Sequence, residues 1–369
     1  MHRIKRIMII FLSIIFILFI SVFIYMQLPE FGKAPYGASL EKVLKSPHYI
    51  NGAFQNSVVS PVMTNDGNVF SIFKKFISND NTPKSSIPSI KTNLLNLDPK
   101  ENILVWFGHS SYFMQIDGKK FLVDPVLSGS ASPFSFIIKA FKGSDIYKPE
   151  DIPDIDYLII THDHWDHLDY KTIVKLKPKI KNIITPLGVG SDFIYWGFDK
   201  NIVTETDWGD TTKLTDGFTI NTTESHHFGG RTFKRNNTLW ASYVLQTPSL
   251  KIFLGGDSGY GPHFKEIGEK FGPFDLAILE DGQYNKSWKY IHMVPNETLQ
   301  AGKDLEAKRI LPVHNSKFKL SVHPWKEPLE MITELDKSVG IPLVTPMIGE
   351  KVNLKDNTQK FTEWWKGLR

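Results

Sequence analysis

The segment from Thr161 to Asp169 (THDHWDHLD) constrains this chain more than any other. It places three histidines and three aspartates within eight residues, directly after the apolar run YLIIT at 157–161, which predicts a buried strand. Imidazole and carboxylate groups are the usual ligands of zinc and similar divalent metals. One zinc takes three or four ligands, so this segment can contribute to two metals. The alternative is a polar loop whose histidines bond to the backbone.

The absence of cysteine narrows the ligand chemistry further. The chain has 12 histidines and no cysteine, which excludes disulfides and cysteine-ligated zinc. Any transition-metal site must therefore use histidine and carboxylate. Zinc is the expected metal for such ligands, although iron or manganese can occupy similar sites.

Further candidate ligands follow other β-prone runs. His226 and His227 follow the run FTINTT at 218–223, Asp257 follows 251–256, and His314 follows 309–313. Loops at strand ends can converge on one rim of a layered fold. A lone histidine of this kind is more often structural, but the shared placement at strand ends favours metal ligands.

The pattern from residue 101 onward predicts an α/β layered fold. Asp117-Gly118 predicts a hairpin turn, and β-prone runs include 157–161, 251–254, 276–279, 309–313 and 341–344. Pro312 and Pro342 predict strand ends or edges. Helices are predicted at 169–177, 263–270, 296–306 and 326–338, with Asp169 and Asn296 as N-caps.

The N-terminus predicts a membrane anchor. Residues 7–25 carry no charge and span roughly 28 Å as a helix, close to the hydrocarbon thickness. Basic residues within 1–6 predict a cytoplasmic end, an anchor at 7–26 and an extracytoplasmic catalytic domain. A cleaved signal peptide is the alternative, but it has a shorter apolar core and a small-residue cleavage site, which the sequence MQLPE at 26–30 lacks.

Composition bounds the remaining segments. Residues 27–100 are rich in Pro, Gly, Asn and Ser and predict an N-terminal extension that partly packs on the main domain, and 351–369 form a C-terminal segment. The net charge is +4, with no dense basic stripe, which argues against nucleic acid as a partner. The aromatic residues Phe134, Phe136, Phe141, Trp364 and Trp365 are candidates for a membrane interface, with core packing as the alternative.

At this point the chain resembles the metallo-β-lactamase superfamily, whose HxHxDH motif matches residues 162–167. The finer resemblance is to the branch that contains N-acyl-phosphatidylethanolamine phospholipase D, and it covers about residues 101–350. It is carried by WFGHSS at 106–111, FLVDPV at 121–126, the motif extended to Tyr170, TPLG at 185–188, GDSGY at 256–260, FKEIGEKFGPFDLAIL at 264–279 and KYIH at 289–292. The resemblance implies an αββα sandwich.

The resemblance also implies roles for individual residues. One zinc would be held by His162, His164 and His227. The other would be held by Asp166, His167 and His314, with Asp257 bridging the two. His227 matches the family ligand, and His226 is expected to be its neighbour. His292 resembles a histidine of the substrate pocket, Asp166 would orient the attacking water, and His109 and Asp124 would support the ligands.

The implied function is a binuclear zinc hydrolase, a phospholipase D-like phosphodiesterase acting on N-acyl-phosphatidylethanolamine or related lipids. A membrane lipid substrate and the bilayer are the expected partners, and a homodimer stays open. Gln283 and the loop 285–287 depart from the family pattern, which bears on the substrate. The alternatives are a lactonase or cyclic phosphodiesterase on the same site, and a non-catalytic, membrane-tethered zinc-binding module.

Overall fold

The computed structural model describes residues 2–64, 74, 76–78 and 81–368. Residues 65–73, 75, 79 and 80 of the predicted extension lie outside the described residues. The helices of the described part are α1 (His2–Tyr25), α2 (Gly37–Lys45), α3 (Tyr170–Leu176), α4 (Gly190–Tyr195), α5 (His263–Phe271), α6 (Pro295–Asp304) and α7 (Glu327–Val339).

Helix α1 contains the apolar N-terminal run. Within the described residues it is the one helix long and apolar enough to cross a membrane. The apolar segment is Arg3–Tyr25, its mean hydropathy is 3.3, and none of its most apolar stretch is buried. Its length and composition meet the requirements of a membrane span and equally those of a signal sequence. The helix begins before residue 7, so the predicted basic end belongs to it.

The strands form two large sheets and one short hairpin. They are β1 (Tyr49–Ile50), β2 (Ala53–Phe54), β3 (Ile103–Trp106), β4 (Tyr112–Ile116), β5 (Lys119–Val123), β6 (Tyr157–Ile159), β7 (Ile183–Pro186), β8 (Val203–Thr206), β9 (Thr211–Lys213), β10 (Thr219–Thr223), β11 (Ser242–Gln246), β12 (Lys251–Leu254), β13 (Leu276–Glu280), β14 (Ile310–Val313) and β15 (Lys351–Asn353). The first large sheet has the order β15-β3-β4-β5-β6-β7-β8, and the second β14-β13-β12-β11-β10-β9.

The two large sheets pack face to face and are covered by helices. Alternating residues of each strand point inward, and the layer between the sheets includes Trp106, Met114, Phe121, Tyr243, Leu254 and Ile278. The outer face of the first sheet packs against α3 and α4, through side chains such as Phe113, Leu158, Ile173 and Phe193. The outer face of the second packs against α5, α6 and α7, through Phe253, Phe264, Leu299 and Ile332. This is the predicted αββα sandwich.

The arrangement of strands brings the candidate ligands to one edge. Strands β12, β13 and β14 are mutually parallel, as are β5, β6, β7 and β8, so the carboxyl ends in each set share one edge of their sheet. Asp257 follows β12, His314 follows β14, and the 162–167 motif follows β6. The loops that carry them therefore meet at one rim of the sandwich.

Several local predictions can be compared with the structure. Asp117 (φ 48°) and Gly118 (φ 78°) form the predicted two-residue hairpin turn between β4 and β5. Asp169 caps α3 by accepting a hydrogen bond from Lys171 N. The predicted cap Asn296 is wrong, because Pro295 already occupies the first turn of α6 and the cap is Val294.

The two prolines that predict strand ends or edges lie in different surroundings. Pro312 lies in β14, which is an edge strand, as predicted. The predicted strand at 341–344 is reduced to a single bridge between Leu343 and Ile310, in which Ile310 N donates to Pro342 O and Val344 N donates to Ile310 O.

Some of the aromatic residues proposed for a membrane interface are exposed, and others are buried. Phe134 and Phe136 are exposed, whereas Phe141 packs against the central core and Trp364 and Trp365 are buried in it. The interface prediction is therefore wrong for Phe141 and the two tryptophans, which fill the core at the end of the first sheet.

The N-terminal extension packs along the rim that carries the ligands. The Asn56 side chain donates to His227 O and accepts from Trp240 Nε1. Further along, Thr64 N donates to Ser287 O. Residues 55–64, which we call the strap, therefore cross the rim between two of its loops.

Candidate metal centre

Three imidazoles from two loops meet in what we call the histidine cluster: His162, His164 and His227. His164 Nδ1 lies 2.9 Å from His162 Nε2 and 3.2 Å from His227 Nε2. Burial lowers the pKa of all three groups, so the rings are neutral and their nitrogen lone pairs can be offered to a cation. Ligand nitrogens around a tetrahedral zinc are separated by about 3.4 Å, close to these distances.

A second group combines carboxylate and imidazole, and we call it the mixed cluster: Asp166, His167 and His314. Asp166 Oδ2 lies 3.5 Å from His167 Nε2, and the rings of His167 and His314 are 5.4 Å apart. His109 joins the same group, with its Nε2 2.9 Å from Asp166 Oδ2. Burial tends to raise the pKa of Asp166, but His167 and His109 hold it well below its usual value.

Asp257 stands between the two clusters and divides its carboxylate between them. Its Oδ2 lies 3.8 Å from His162 Nε2 and 3.7 Å from His227 Nε2. Its Oδ1 lies 3.2 Å from His167 Nε2 and 3.1 Å from His314 Nδ1. One carboxylate that faces both clusters is the arrangement by which two adjacent cations share a ligand.

The donor atoms fit divalent cations. Among the described residues, His167 Nε2 and Asp257 Oδ1 are buried without a hydrogen-bond partner, although each lies in the middle of the group. Burial opposes protonation of His167, but Asp257, Asp166 and Asp124 raise its pKa well above the usual value. This net carboxylate charge is what a bound cation would neutralise, and all the donors are nitrogen or oxygen atoms.

Neighbouring groups fix the orientation of the ligand rings. His167 Nδ1 is 2.8 Å from Asp124 Oδ2, and His227 Nδ1 donates to Ile291 O at 3.0 Å. In both rings this leaves Nε2 to face the centre. Asp124 also accepts hydrogen bonds from Thr161 N and Oγ1.

Three residues at the centre have backbone conformations that non-glycine residues seldom adopt. His109, Asp124 and His314 have φ values of 54°, 42° and 67°. All three are buried, so the surrounding packing holds them in this conformation. Such strain is concentrated at functional sites, where it aims side chains that an ordinary backbone would not place.

His292, predicted from the resemblance, lies beside both clusters. Its ring centroid is 5.1 Å from that of His227 and 5.3 Å from that of His314. His292 Nδ1 is 2.7 Å from Glu280 Oε2, and Met293 N donates to the other oxygen of Glu280. Because the carboxylate engages Nδ1, Nε2 is the atom that remains for a ligand.

Sequence reasoning missed Glu280. It is fully buried at the end of β13, and burial raises its pKa to about 8 despite the opposing effect of His292. The signal available was a glutamate that ends the otherwise apolar run LAILE at 276–280. An ionisable residue in a buried strand requires a partner, and here the partner comes from a loop twelve residues later.

Other polar residues of the motif lie outside the centre. Asp163 accepts hydrogen bonds from Gly230 N and Thr238 Oγ1, and Asp169 caps α3. His226 pairs with Glu224, and its ring contacts that of His263 with centroids 4.1 Å apart. Of the adjacent histidines it is therefore His227 that enters the centre.

A pocket of about 270 Å³ opens over both clusters. Its floor is formed by His292 and by five of the proposed ligands, His164, Asp166, His227, Asp257 and His314. Its apolar walls are Val62, Met63, Phe228, Trp288, Ile291 and Leu320. Val62 and Met63 belong to the strap, so the N-terminal extension completes the pocket. Among the lining residues, Arg235 is the one with a fixed positive charge, and its guanidinium lies 5.1 Å from the Phe228 ring centroid.

Gln283, a departure from the family pattern, also lines this pocket. Its Oε1 accepts hydrogen bonds from Leu320 N and Ser321 N, and its Nε2 donates to His314 O and Phe318 O. The side chain therefore ties the loop after β13 to the loop that carries His314.

Comparison with known proteins agrees with this geometry. A family model described as "Beta-lactamase superfamily domain" matches residues 119–315, which include the motif and every proposed ligand. The chain belongs to the metallo-β-lactamase superfamily. It is 32% identical over 329 residues to an uncharacterized protein of Mycobacterium tuberculosis, covering 87% of this chain and 88% of the relative.

The resemblance to the phospholipase branch is confirmed as well. The chain is 29% identical over 320 residues to the N-acyl-phosphatidylethanolamine-hydrolyzing phospholipase D 1 of Caenorhabditis elegans, covering 80% of this chain and 86% of that protein. The solved structure of Igni18, a metallo hydrolase of Ignicoccus hospitalis, aligns with a TM-score of 0.53 at 21% identity, covering 69% of this chain and 98% of that one. The latter likeness shows the fold. The family and the donor set together identify a metal-dependent hydrolase of this superfamily.

Proposed function

We propose that the chain is a binuclear, zinc-dependent phosphodiesterase that cleaves N-acyl-phosphatidylethanolamine or related lipids in the manner of a phospholipase D. The observation that carries the proposal is the pocket over the metal centre, whose apolar walls fit acyl or glycerol carbons and whose one fixed cation, Arg235, fits a phosphodiester. The name of the C. elegans relative supports the same substrate class.

In this proposal the histidine cluster would hold one cation and the mixed cluster the other, and Asp257 would serve both. When bound, a pair of divalent cations lowers the pKa of water and stabilises negative charge on phosphoryl oxygens. Zinc is the default for these nitrogen and oxygen donors.

The chain itself supplies orientation and proton transfer. Asp166, unprotonated and held by His109, accepts a hydrogen bond from the attacking water and aligns it with phosphorus. One proton of the water passes to Asp166 as the water oxygen bonds to phosphorus and the bond to the ethanolamine oxygen breaks. His292, held by Glu280 at Nδ1, donates a proton from Nε2 to the leaving oxygen. Arg235 binds the nonbridging phosphoryl oxygens.

The apolar helix bears on how substrate is reached. We propose that α1 stays in place as a single membrane span, with the catalytic domain outside the cytoplasm. A catalytic domain tethered to a bilayer meets lipids at a high effective concentration, which offsets weak binding to any one lipid.

The test uses the full chain in detergent micelles or nanodiscs, with N-acyl-phosphatidylethanolamine in ¹⁸O-labelled water. We expect phosphatidate that carries one ¹⁸O atom in its phosphate, and unlabelled N-acylethanolamine, because the P–O bond breaks. Asp257→Asn is the inactive control. Turnover of lactones without release of phosphatidate would refute the lipid assignment and leave a different hydrolase on the same centre. Elemental analysis of the same preparation identifies the metal.

A further inference from the structure

Four apolar side chains of the catalytic domain are exposed beside the end of α1. We call them the aromatic patch: Phe134, Phe136, Ile137 and Phe233, with exposed fractions of 38%, 70%, 50% and 86%. Phe134 and Phe136 contact each other with ring centroids 5.8 Å apart. Single exposed apolar residues are ordinary, whereas several large ones grouped on one surface mark a binding surface.

The aromatic patch is joined directly to the apolar helix. The Tyr25 ring stacks on Phe134 at 4.8 Å, and the Tyr25 hydroxyl donates to Pro133 O at 2.9 Å. A groove of about 520 Å³ runs between them, with an almost wholly apolar lining that includes Leu18, Val22, Tyr25, Phe134 and Phe233.

The position of the aromatic patch along α1 follows from helix geometry. Leu18 precedes Tyr25 by seven residues, which is about 10 Å of helix length. Because Leu18 and Phe233 line the same groove, the patch lies alongside the last two turns of α1. Whatever surrounds those two turns must also surround the patch.

We propose that the aromatic patch enters the outer leaflet of the bilayer beside the last two turns of α1, and that lipid acyl chains fill the groove between them. The inference rests on the proposed function in one respect, that α1 remains as a membrane span. A bilayer is favoured as the occupant because the patch continues the fully exposed apolar surface of that helix. The basic residues Lys33 and Lys234 lie next to the groove and fit phosphate headgroups.

A single loop then connects the membrane to the metal centre. In residues 228–238, Phe228 packs against the His164 ring at 4.4 Å, Phe233 belongs to the patch, and Arg235 lines the pocket. Two residues of chain separate the Cα atoms of Phe233 and Arg235 by no more than about 7.6 Å. With Phe233 in the bilayer, Arg235 therefore lies at the level of the lipid headgroups.

Arg231 fixes this loop in place. Its buried guanidinium donates to Asp163 O and Leu168 O of the metal loop and to Glu30 O beyond the helix. It also lies over the Trp165 ring at 4.0 Å. One side chain thus links the juxtamembrane segment to the loop that carries the ligands, so the orientation of the domain against the bilayer sets the orientation of the pocket.

The test exploits the absence of cysteine, because any introduced cysteine is a unique labelling site. Phe136→Cys and Phe233→Cys are made in the full chain, labelled with a small fluorophore and reconstituted into phosphatidylcholine–phosphatidylglycerol vesicles. Lipids brominated on their acyl chains quench fluorophores that lie among them. Val22→Cys reports on the helix itself. Leu95→Cys is the matched control, an exposed apolar residue outside the patch, three residues before Asp98, which contacts Gln115 near the β4–β5 hairpin.

We expect quenching at positions 136 and 233 to match that at position 22 and to exceed that at position 95. If position 22 is quenched while 136 and 233 behave like 95, the patch proposal is overturned and the membrane span stands. If position 22 is not quenched either, the span proposal fails and the patch proposal with it. Because 136 and 233 lie on separate loops, misfolding of one variant does not decide the result.

Discussion

The two clusters of the metal centre are built in different ways. The histidine cluster consists of three imidazoles that burial keeps neutral, and none of its residues has a positive φ. The mixed cluster contains a carboxylate, is braced by His109, and depends on positive φ at both His109 and His314. The histidine cluster is thus a set of neutral nitrogen donors, whereas the mixed cluster is charged and has a strained backbone. Substitutions should therefore separate the two halves.

The largest effect is expected where the halves meet. Asp257→Asn removes the charge that faces both clusters, so we expect loss of both cations and a fall in turnover of about a thousandfold or more, since metal catalysis supplies several kcal/mol. Metal content per chain and phosphatidate release measure it. Asp163→Asn is the matched control, because that carboxylate lies among the ligands of the 162–167 loop but bonds to Gly230 and Thr238. An Asp257→Asn protein that keeps its full metal content would contradict the bridging role.

The next effect concerns the proton donor beside the mixed cluster. His292→Ala should lower kcat about a hundredfold with little change in metal content, the usual scale for a general acid. Glu280→Gln should give a smaller loss of the same kind and move the alkaline limb of the pH profile, because the carboxylate raises the pKa of His292 against the effect of burial. If both variants keep the kcat and the pH profile of the parent protein, His292 is not the proton donor.

Support of the mixed cluster is tested by Asp124→Asn. The amide can still contact His167 Nδ1 but carries no charge, so we expect a 10–100-fold loss of metal affinity at the mixed cluster, the range for residues that orient ligands. Titration of the variant with a divalent cation should then show a weaker affinity at the mixed cluster than at the histidine cluster. A uniform loss at both sites would show that the two clusters are less independent than their contacts indicate.

The smallest effect on turnover is expected at Lys317, which is buried against Gly108 and whose Nζ donates to Val126 O and pairs with Asp145. Burial lowers its pKa from 10.5 to about 8. Between these values the unfolded chain binds the proton that the folded chain has lost, so this group makes the free energy of unfolding rise with pH, by on the order of 3 kcal/mol at most. Below pH 8 its contribution is flat.

Lys317→Met removes that contribution. Unfolding measured from pH 8 to pH 10 should show a shallower increase of stability in the variant than in the parent protein. Parallel slopes would mean that burial does not lower the pKa of Lys317 in the folded protein. The comparison uses slopes, so a uniform change in stability from the substitution does not affect it.

Much of this protein is determined locally by its sequence. The His-x-His-x-Asp-His spacing after a buried strand indicates a metal loop, because ligands so close in sequence must lie close in space. Asp117-Gly118 indicates the hairpin, because its two residues readily adopt positive φ. The 3.6-residue periodicity indicates α5 and α7 to within one residue at each end.

Only the tertiary structure decided which distant residues join these elements. Glu280 as the partner of His292, and the strap as a wall of the pocket, depend on sheet order and loop paths that no local pattern encodes. The burial of Trp364 and Trp365 and the exposure of Phe233 follow from which surface each segment meets. The physical reason is that turn chemistry and periodicity act between near neighbours, whereas convergence at the rim depends on the packing of two sheets.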